Sequence, residues 1–284
     1  MRVTVPTDQQ PLLTLTDIVV RFGGVVALDG VHLDVRPGEV HGVIGPNGAG
    51  KTTLFNVACG FVPPTEGRIH FAGEDVTGWK PHDLIDHGVA RSLQGLGLFD
   101  RLSVEDNVLI GADRHARTGF VSSLLSAPRA TRDEAALKER AVEVLDRLDI
   151  AHLGGRVVGS LPYPLRKRVA LARALVAEPR VLLLDEPASG LSETEMTELG
   201  DIILDLSREV SVLLVEHHMD LVMRVCGRLT VLDFGRVIAA GTPEEIKENP
   251  VVLEAYLGAE VEDAPTRTPG DAQASGTTKG AGRA

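Results

Sequence analysis

The chain has 284 residues, 43% of them hydrophobic and 24% charged, with a formal net charge of −11. That length holds one large α/β domain or two lobes sharing a core, and the composition is that of an ordinary globular protein. The acidic balance excludes a uniformly basic nucleic-acid binder. Cys59 and Cys226 each lie alone in an apolar stretch, as reduced core cysteines of a cytosolic protein do. Asp8, Gln9 and Gln10 interrupt any apolar run at the N-terminus, so no signal peptide is expected. No stretch approaches the roughly 20 apolar residues that span a bilayer. If the protein acts at a membrane, another chain must supply the membrane part.

In chain order, residues 1–11 form an N-terminal extension and strands with tight turns follow. Leu13, Leu15 and Ile18 to Val20 form a β-rich run, and Val31, Leu33 and Val35 alternate with His32 and Asp34 as in a half-buried strand. Val40 to Ile44 is a short apolar run that leads through a glycine-rich loop into a helical pattern, Thr52 to Ala58. The middle of the chain carries helix signals. Ser103 caps one start, and Thr131 to Glu134 reads as a capping box ahead of Leu137, Ala141, Leu145 and Leu148 at helical spacing. From Val181 onward, strand-length apolar runs at 181–184, 212–215 and 229–232 alternate with helical stretches. Of these, one opens with a capping box at Ser192 to Glu195 and another with Thr242 and Pro243. Alternation of this kind predicts a parallel sheet with crossover helices, an α/β fold. Past Gly258 the pattern dissolves, and residues 259–284 read as a disordered tail, too poor in large apolar groups to offset ordering entropy.

Gly45 to Thr52 reads GPNGAGKT, a full GxxxxGK[ST] match placed between a strand and a helix. Gly45, Gly48 and Gly50 let backbone N–H groups converge on phosphate oxygens at a helix N-terminus. Pro46, Asn47 and Ala49 complete the loop, and Thr53 follows it. Lys51 is placed to reach β- and γ-phosphates and the Thr52 hydroxyl to hold Mg²⁺. Val181 to Glu186 reads VLLLDE, a buried strand ending in two carboxylates. With a phosphate loop upstream, Asp185 is the candidate for Mg²⁺ through water, and Glu186 for polarising the attacking water.

P-loop proteins with this order of motifs resemble ABC transporter ATPases, and the similarity runs from Leu13 to Gly258. It implies a P-loop NTPase cassette over 12–258 with a RecA-like core, an N-terminal antiparallel β lobe and a helical lobe inserted at about 95–178. It implies ATP and Mg²⁺ as cofactors and ATP hydrolysis coupled to transport. By the resemblance, Gln94 in RSLQ contacts Mg²⁺ and the attacking water, and its loop, with Leu98 and Phe99, passes motion to a permease helix. Phe22 in RFGG takes the adenine-stacking position, with a core phenylalanine as the alternative. His217 in VEHH is the switch histidine that contacts the γ-phosphate. Ala188 to Leu191 matches the loop by which paired cassettes sense each other.

The signature loop departs from the family pattern. Where LSGGQ is expected, ahead of an arginine-rich helix at 166–177, the chain reads Leu161-Pro162-Tyr163-Pro164-Leu165. In the family, serine and glycine here grip the γ-phosphate of ATP bound to the opposite subunit, and Pro164 removes a backbone donor. The chain's own P-loop residues are intact, which favours a heterodimer with a second cassette of normal signature over a homodimer. LPY, RFGG, GLFDRLSVEDNVLIG, EHHMDLVM and the ending NPVVLEAYLG are similar to branched-chain amino acid (high-affinity uptake) ATPase subunits, and Arg114 to Arg129 resembles that subgroup's insertion. Such systems pair two cassettes with two permeases and an extracytoplasmic solute-binding protein, which places this chain peripherally on the cytoplasmic face of the cell membrane. Close relatives import urea, amides or other solutes. A nucleotide-gated regulatory clamp that hydrolyses poorly, and a soluble ABC-type protein acting on ribosomes or DNA, are the readings from other classes.

Overall fold

The computed structural model describes residues 10–92, 96–112 and 128–262. The long β-rich start folds as β1 (Leu13–Phe22) and β2 (Val25–Val35), an antiparallel pair with Leu13 opposite Val35 and Leu15 opposite Leu33. β4 (Glu66–Phe71) pairs with the other edge of β1, and β5 (Glu74–Asp75) with β4, giving the order β2-β1-β4-β5. The alternation read from the sequence sets its faces: Val31, Leu33 and Val35 are buried and His32 is exposed.

The second sheet has the order β10-β9-β3-β8-β7-β6. It is built from β3 (Val40–Ile44), β6 (Val89–Ser92), β7 (Val181–Asp185), β8 (Ser211–Val215) and β9 (Arg228–Asp233) in parallel, with β10 (Arg236–Gly241) antiparallel at one edge. Leu182 and Leu184 of β7 enter one hydrophobic core while Val181 and Leu183 enter another. A strand that feeds two cores has no polar face, which is why these strands read as continuous apolar runs.

Helix α1 (Lys51–Ala58) follows β3, and the helical lobe between β6 and β7 contains α2 (Val104–Gly111), α3 (Pro128–Arg147) and α4 (Tyr163–Leu175). Ser103 caps α2 by accepting from the Asp106 N–H. Gly111 lets α2 lie against α4, since a Cβ there would come within 2.0 Å of the Arg173 carbonyl oxygen. Ala141 and Leu145 of α3, and Leu148 just past its end, are fully buried, as their spacing requires. Helix α5 (Glu193–Leu206) opens with the capping box of Ser192 and Glu195. α6 (Met219–Val225) follows β8, α7 (Pro243–Lys247) opens with a second capping box at Thr242 and Glu245, and α8 (Pro250–Glu262) closes the described chain.

Three boundaries differ from the sequence reading. α3 starts at Pro128, so Thr131 lies inside the helix rather than capping it; proline's fixed φ suits the first turn. α4 begins at Tyr163, not Arg166, for the same reason: Pro162 sits at its N-cap and Pro164 in its first turn. α8 runs to Glu262, four residues past the boundary set at Gly258. The rest of the tail, 263–284, residues 1–9, the segment 113–127 and Gln94 lie outside the described residues. Among the described residues no helix is long and apolar enough to cross a membrane.

Candidate functional site

The neighbouring parallel strands β3, β8 and β7 end at one edge of the sheet, with Val215 of β8 opposite both Val43 and Asp185. Open α/β sheets bind ligands beyond the carboxyl ends of their strands. All three polar motifs of the sequence leave from this edge: Gly45 to Thr52 after β3, Asp185 and Glu186 at the end of β7, Glu216 and His217 after β8.

The loop after β3 needs glycine for sterics. Gly45 has φ 150, and a Cβ on it would lie 2.1 Å from the Leu232 carbonyl oxygen of β9. Helix α1 then starts at Lys51 behind a left-handed Gly50 with no side-chain cap, so no side chain competes for the first-turn N–H groups. Lys51 is buried, and its Nζ donates to the carbonyls of Gly45 and Pro46 at 2.7 Å each. Burial pulls its pKa down, while the Glu186 carboxylate acts in the opposite sense. Asn47, Gly48 and Thr52 are exposed on the rim, Pro46 and Thr53 are half-buried, and Ala49 is buried.

Asp185 is buried; burial raises its pKa, the Arg91 guanidinium at 3.9 Å opposes that, and Glu186 and Glu216 add to it. Arg91 is itself held over the rings of Phe55 and Phe61, 4.9 and 4.7 Å from their centroids. Glu186 adopts φ 45 while its N–H donates to the Val215 carbonyl at 2.8 Å. Left-handed backbone at a non-glycine residue is uncommon and clusters at functional positions.

Glu216, 1% exposed, joins two of the motif-bearing loops. Its Oε1 accepts from the Ala188 N–H at 2.8 Å, and its Oε2 from the N–H groups of His217 and His218 at 2.8 and 3.1 Å. Burial alone would raise its pKa; these bonds, with the His218 ring, outweigh it and hold the carboxyl below its ordinary value. The His217 ring is half-exposed, with Nδ1 3.8 Å from Glu186 Oε1.

Phe22, at the end of β1, is 52% exposed and therefore not a core residue. Gln94 follows β6 by two residues and lies outside the described residues. The chain just beyond it is fastened to the arginine-rich helix: Arg173 donates to the carbonyls of Gly97 at 2.6 Å and Leu96 at 2.7 Å. The altered signature leans on its own chain. Tyr163 covers Gly190, where a Cβ would come within 3.2 Å of its ring, and Lys167 Nζ donates to the Pro187 carbonyl at 2.6 Å. Pro162 supplies no side-chain cap to α4.

Three contributors escaped the sequence reading. Arg91 stood in the RSLQ segment, but only Gln94 was singled out there. Lys167 looked like part of a generic basic run. Tyr256 lay in the NPVVLEAYLG ending, yet burial raises its pKa and the Gly45 backbone opposes that, in keeping with α8 residues Val251, Glu254 and Ala255 lining one hollow with Pro46 to Ala49 of the phosphate loop. No local spacing signals such a contact.

A phosphate loop separated by one strand from an acidic strand end is the layout of a P-loop nucleotide hydrolase, and the two appended lobes make it a cassette. Comparison with known proteins gives the family. The ABC transporter family profile matches residues 28–189, and that of the branched-chain amino acid ATP-binding cassette transporters matches residues 236–262. The chain belongs to the ABC transporter family, among its branched-chain amino acid ATP-binding cassettes. It is 40% identical over 251 residues to the high-affinity branched-chain amino acid transport ATP-binding protein BraF of Pseudomonas aeruginosa, covering 88% of this chain and 98% of that one. Against LivG of Escherichia coli K12, described in the same words, the identity is 39% with the same coverage. The crystal structure of the ADP conformation of an ATP-binding cassette of an ABC transporter superposes with a TM-score of 0.76 at 32% identity, covering 88% of this chain and all of that one. A nucleotide-free cassette superposes at 0.74 and 33% identity, covering 87% and 99%. The chain is accordingly an ATP-binding and ATP-hydrolysing subunit that energises a transporter.

Proposed function

We propose that this cassette binds MgATP and drives a multi-subunit importer of branched-chain amino acids or related small solutes, working at the cytoplasmic face of the membrane with two permeases, a solute-binding protein and a second cassette. The backbone N–H groups of Gly45 to Gly50 cradle the phosphates, Lys51 neutralises the β- and γ-phosphates, and Phe22 stacks on adenine. Mg²⁺ supplies charge neutralisation when bound, with the Thr52 hydroxyl, Asp185 through water and Gln94 as its holders. The donor set suits that ion, being oxygen-rich with one buried carboxylate whose pKa is raised by burial and by neighbouring carboxylates. Glu186 orients and polarises the attacking water, and His217 contacts the γ-phosphate. The work of these residues is positioning and charge stabilisation.

The observation that carries this reading is the edge shared by β3, β8 and β7, which brings Glu186 and His217 within 3.8 Å of each other beside the phosphate loop. Glu186→Gln tests it: turnover in the assembled transporter is expected to fall about 100-fold or more while ATP still binds. Unchanged transport would instead favour the regulatory clamp, for which the altered signature at Pro162 to Leu165 is the specific motive.

A further inference from the structure

Next to the hydrolytic residues lies a second convergence of ligand atoms. His218 Nδ1 is 2.9 Å from Glu216 Oε2, His217 Nδ1 is 3.6 Å from the same oxygen, and His217 Nδ1 is 3.8 Å from Glu186 Oε1. The two imidazoles lie face to face with centroids 4.1 Å apart and planes tilted by 37°, so both Nδ1 atoms approach one carboxylate. Ligand atoms of Glu216, His217 and His218 all lie within 4.8 Å of one another.

A tetrahedral zinc with Zn–N and Zn–O bonds near 2.0–2.2 Å holds its ligand atoms roughly 3.3 Å apart. The separations of the two imidazoles from Glu216 Oε2, 2.9 and 3.6 Å, straddle that value, and all three ligand atoms lie within 4.8 Å, so rotation of the partly exposed rings brings them into range. The ligand chemistry also discriminates. Imidazole nitrogens with carboxylate oxygens suit Zn²⁺, whereas Mg²⁺ prefers oxygen ligands and retains its waters. Glu216 is a pre-oriented ligand, because three backbone N–H groups fix its carboxylate. An entry path exists, since the His217 side chain is 52% and the His218 side chain 31% exposed.

We propose that Glu216, His217 and His218, with Glu186 at their edge, form a binding site for Zn²⁺ or a divalent cation of like softness, and that the bound ion stops hydrolysis by engaging His217 and Glu186. Binding follows from the geometry alone; the inhibitory half rests on the roles proposed above for His217 and Glu186.

The test measures binding on the purified full-length chain and turnover in the assembled transporter. Zn²⁺ affinity is measured by competition with a fluorescent zinc chelator, the coordination sphere by the visible absorption of Co²⁺ in the same site, and turnover at buffered free Zn²⁺ with excess MgATP. One tightly bound equivalent, a tetrahedral Co²⁺ spectrum and loss of turnover at stoichiometric Zn²⁺ are expected. His217→Ala removes an exposed ring, and His218→Asn keeps a donor toward Glu216, so both variants should fold. Each is expected to weaken Zn²⁺ binding about tenfold or more. Absence of binding, or binding unchanged in both folded variants, overturns the site. Tight binding with undiminished turnover overturns the inhibitory half alone. Zn²⁺ binding here in an assembled transporter that never hydrolyses ATP supports the site and counts against the hydrolytic reading instead.

Discussion

His41, the second residue of β3, is fully buried with its Nε2 2.8 Å from the Thr230 hydroxyl. Burial, helped by the Arg228 charge, lowers its pKa to about 3 from the usual 6.5. The folded chain therefore keeps a neutral imidazole at pH values where the unfolded chain takes up a proton. Its contribution to stability is complete above pH 6.5 and declines as pH falls from there toward 3. Between pH 7.5 and 5.0, urea unfolding should show a loss of about 2 kcal/mol from this one group. His41→Gln should flatten that part of the profile. Identical pH slopes in the two proteins would remove His41 from the account. The sequence placed this histidine in a strand but gave no sign of its burial. Gly45, in contrast, was legible as a loop glycine, although the 2.1 Å approach to the Leu232 carbonyl that excludes a side chain there was not.

Among the elements, α2 does more than pack. Asn107, fully buried, accepts from the Phe99 N–H at 2.8 Å and donates to the carbonyls of Phe99 at 3.1 Å and Ser103 at 2.9 Å. It sets the loop in which Phe99 stands 51% exposed, the surface proposed to meet a permease. Asn107→Leu leaves the Phe99 N–H without its partner, while the Phe99 and Ser103 carbonyls keep the Leu102 and Asn107 N–H groups, and should cost roughly 1–2 kcal/mol in chemical denaturation. In the assembled transporter, its ATPase activity should respond less to solute than that of the wild type. At the other end, α8 reaches the phosphate loop through Tyr256, within the segment matched by the branched-chain amino acid profile. Tyr256→Phe removes the hydroxyl beside the Gly45 backbone and should weaken ATP binding by roughly two- to tenfold in calorimetric titration, and an unchanged Kd would show that α8 only packs. The strands and the caps at Ser103, Ser192 and Thr242 were readable because their signals are local. The starts of α3 and α4 were misplaced because prolines read as breaks when they stand at helix openings.

At the scale of the whole molecule, pairing with a second cassette, as proposed, would make the chain asymmetric in what it gives and receives. In the proposed function, its phosphate loop and Glu186 serve its own site. Tyr163 lies on its own Gly190 and Lys167 holds the Pro187 carbonyl, in the stretch where serine and glycines are expected to face a partner's nucleotide. In a reconstituted pair with a cassette of intact signature, Glu186→Gln in this chain should remove most of the turnover, and the matching change in the partner only a small part. Equal losses would contradict the asymmetric pairing. The sequence alone determined the phosphate loop, the acidic strand end and the α/β class, because each is written in residues adjacent along the chain, where glycine spacing, apolar runs and caps act directly on the backbone. Only the tertiary structure decided that β8 lies between β3 and β7, that Glu216 binds the Ala188 loop to two histidines, and that Arg91, Lys167 and Tyr256 belong beside the site. Those contacts join residues far apart in sequence, and they exist only once the sheet order is set by burying both of its faces.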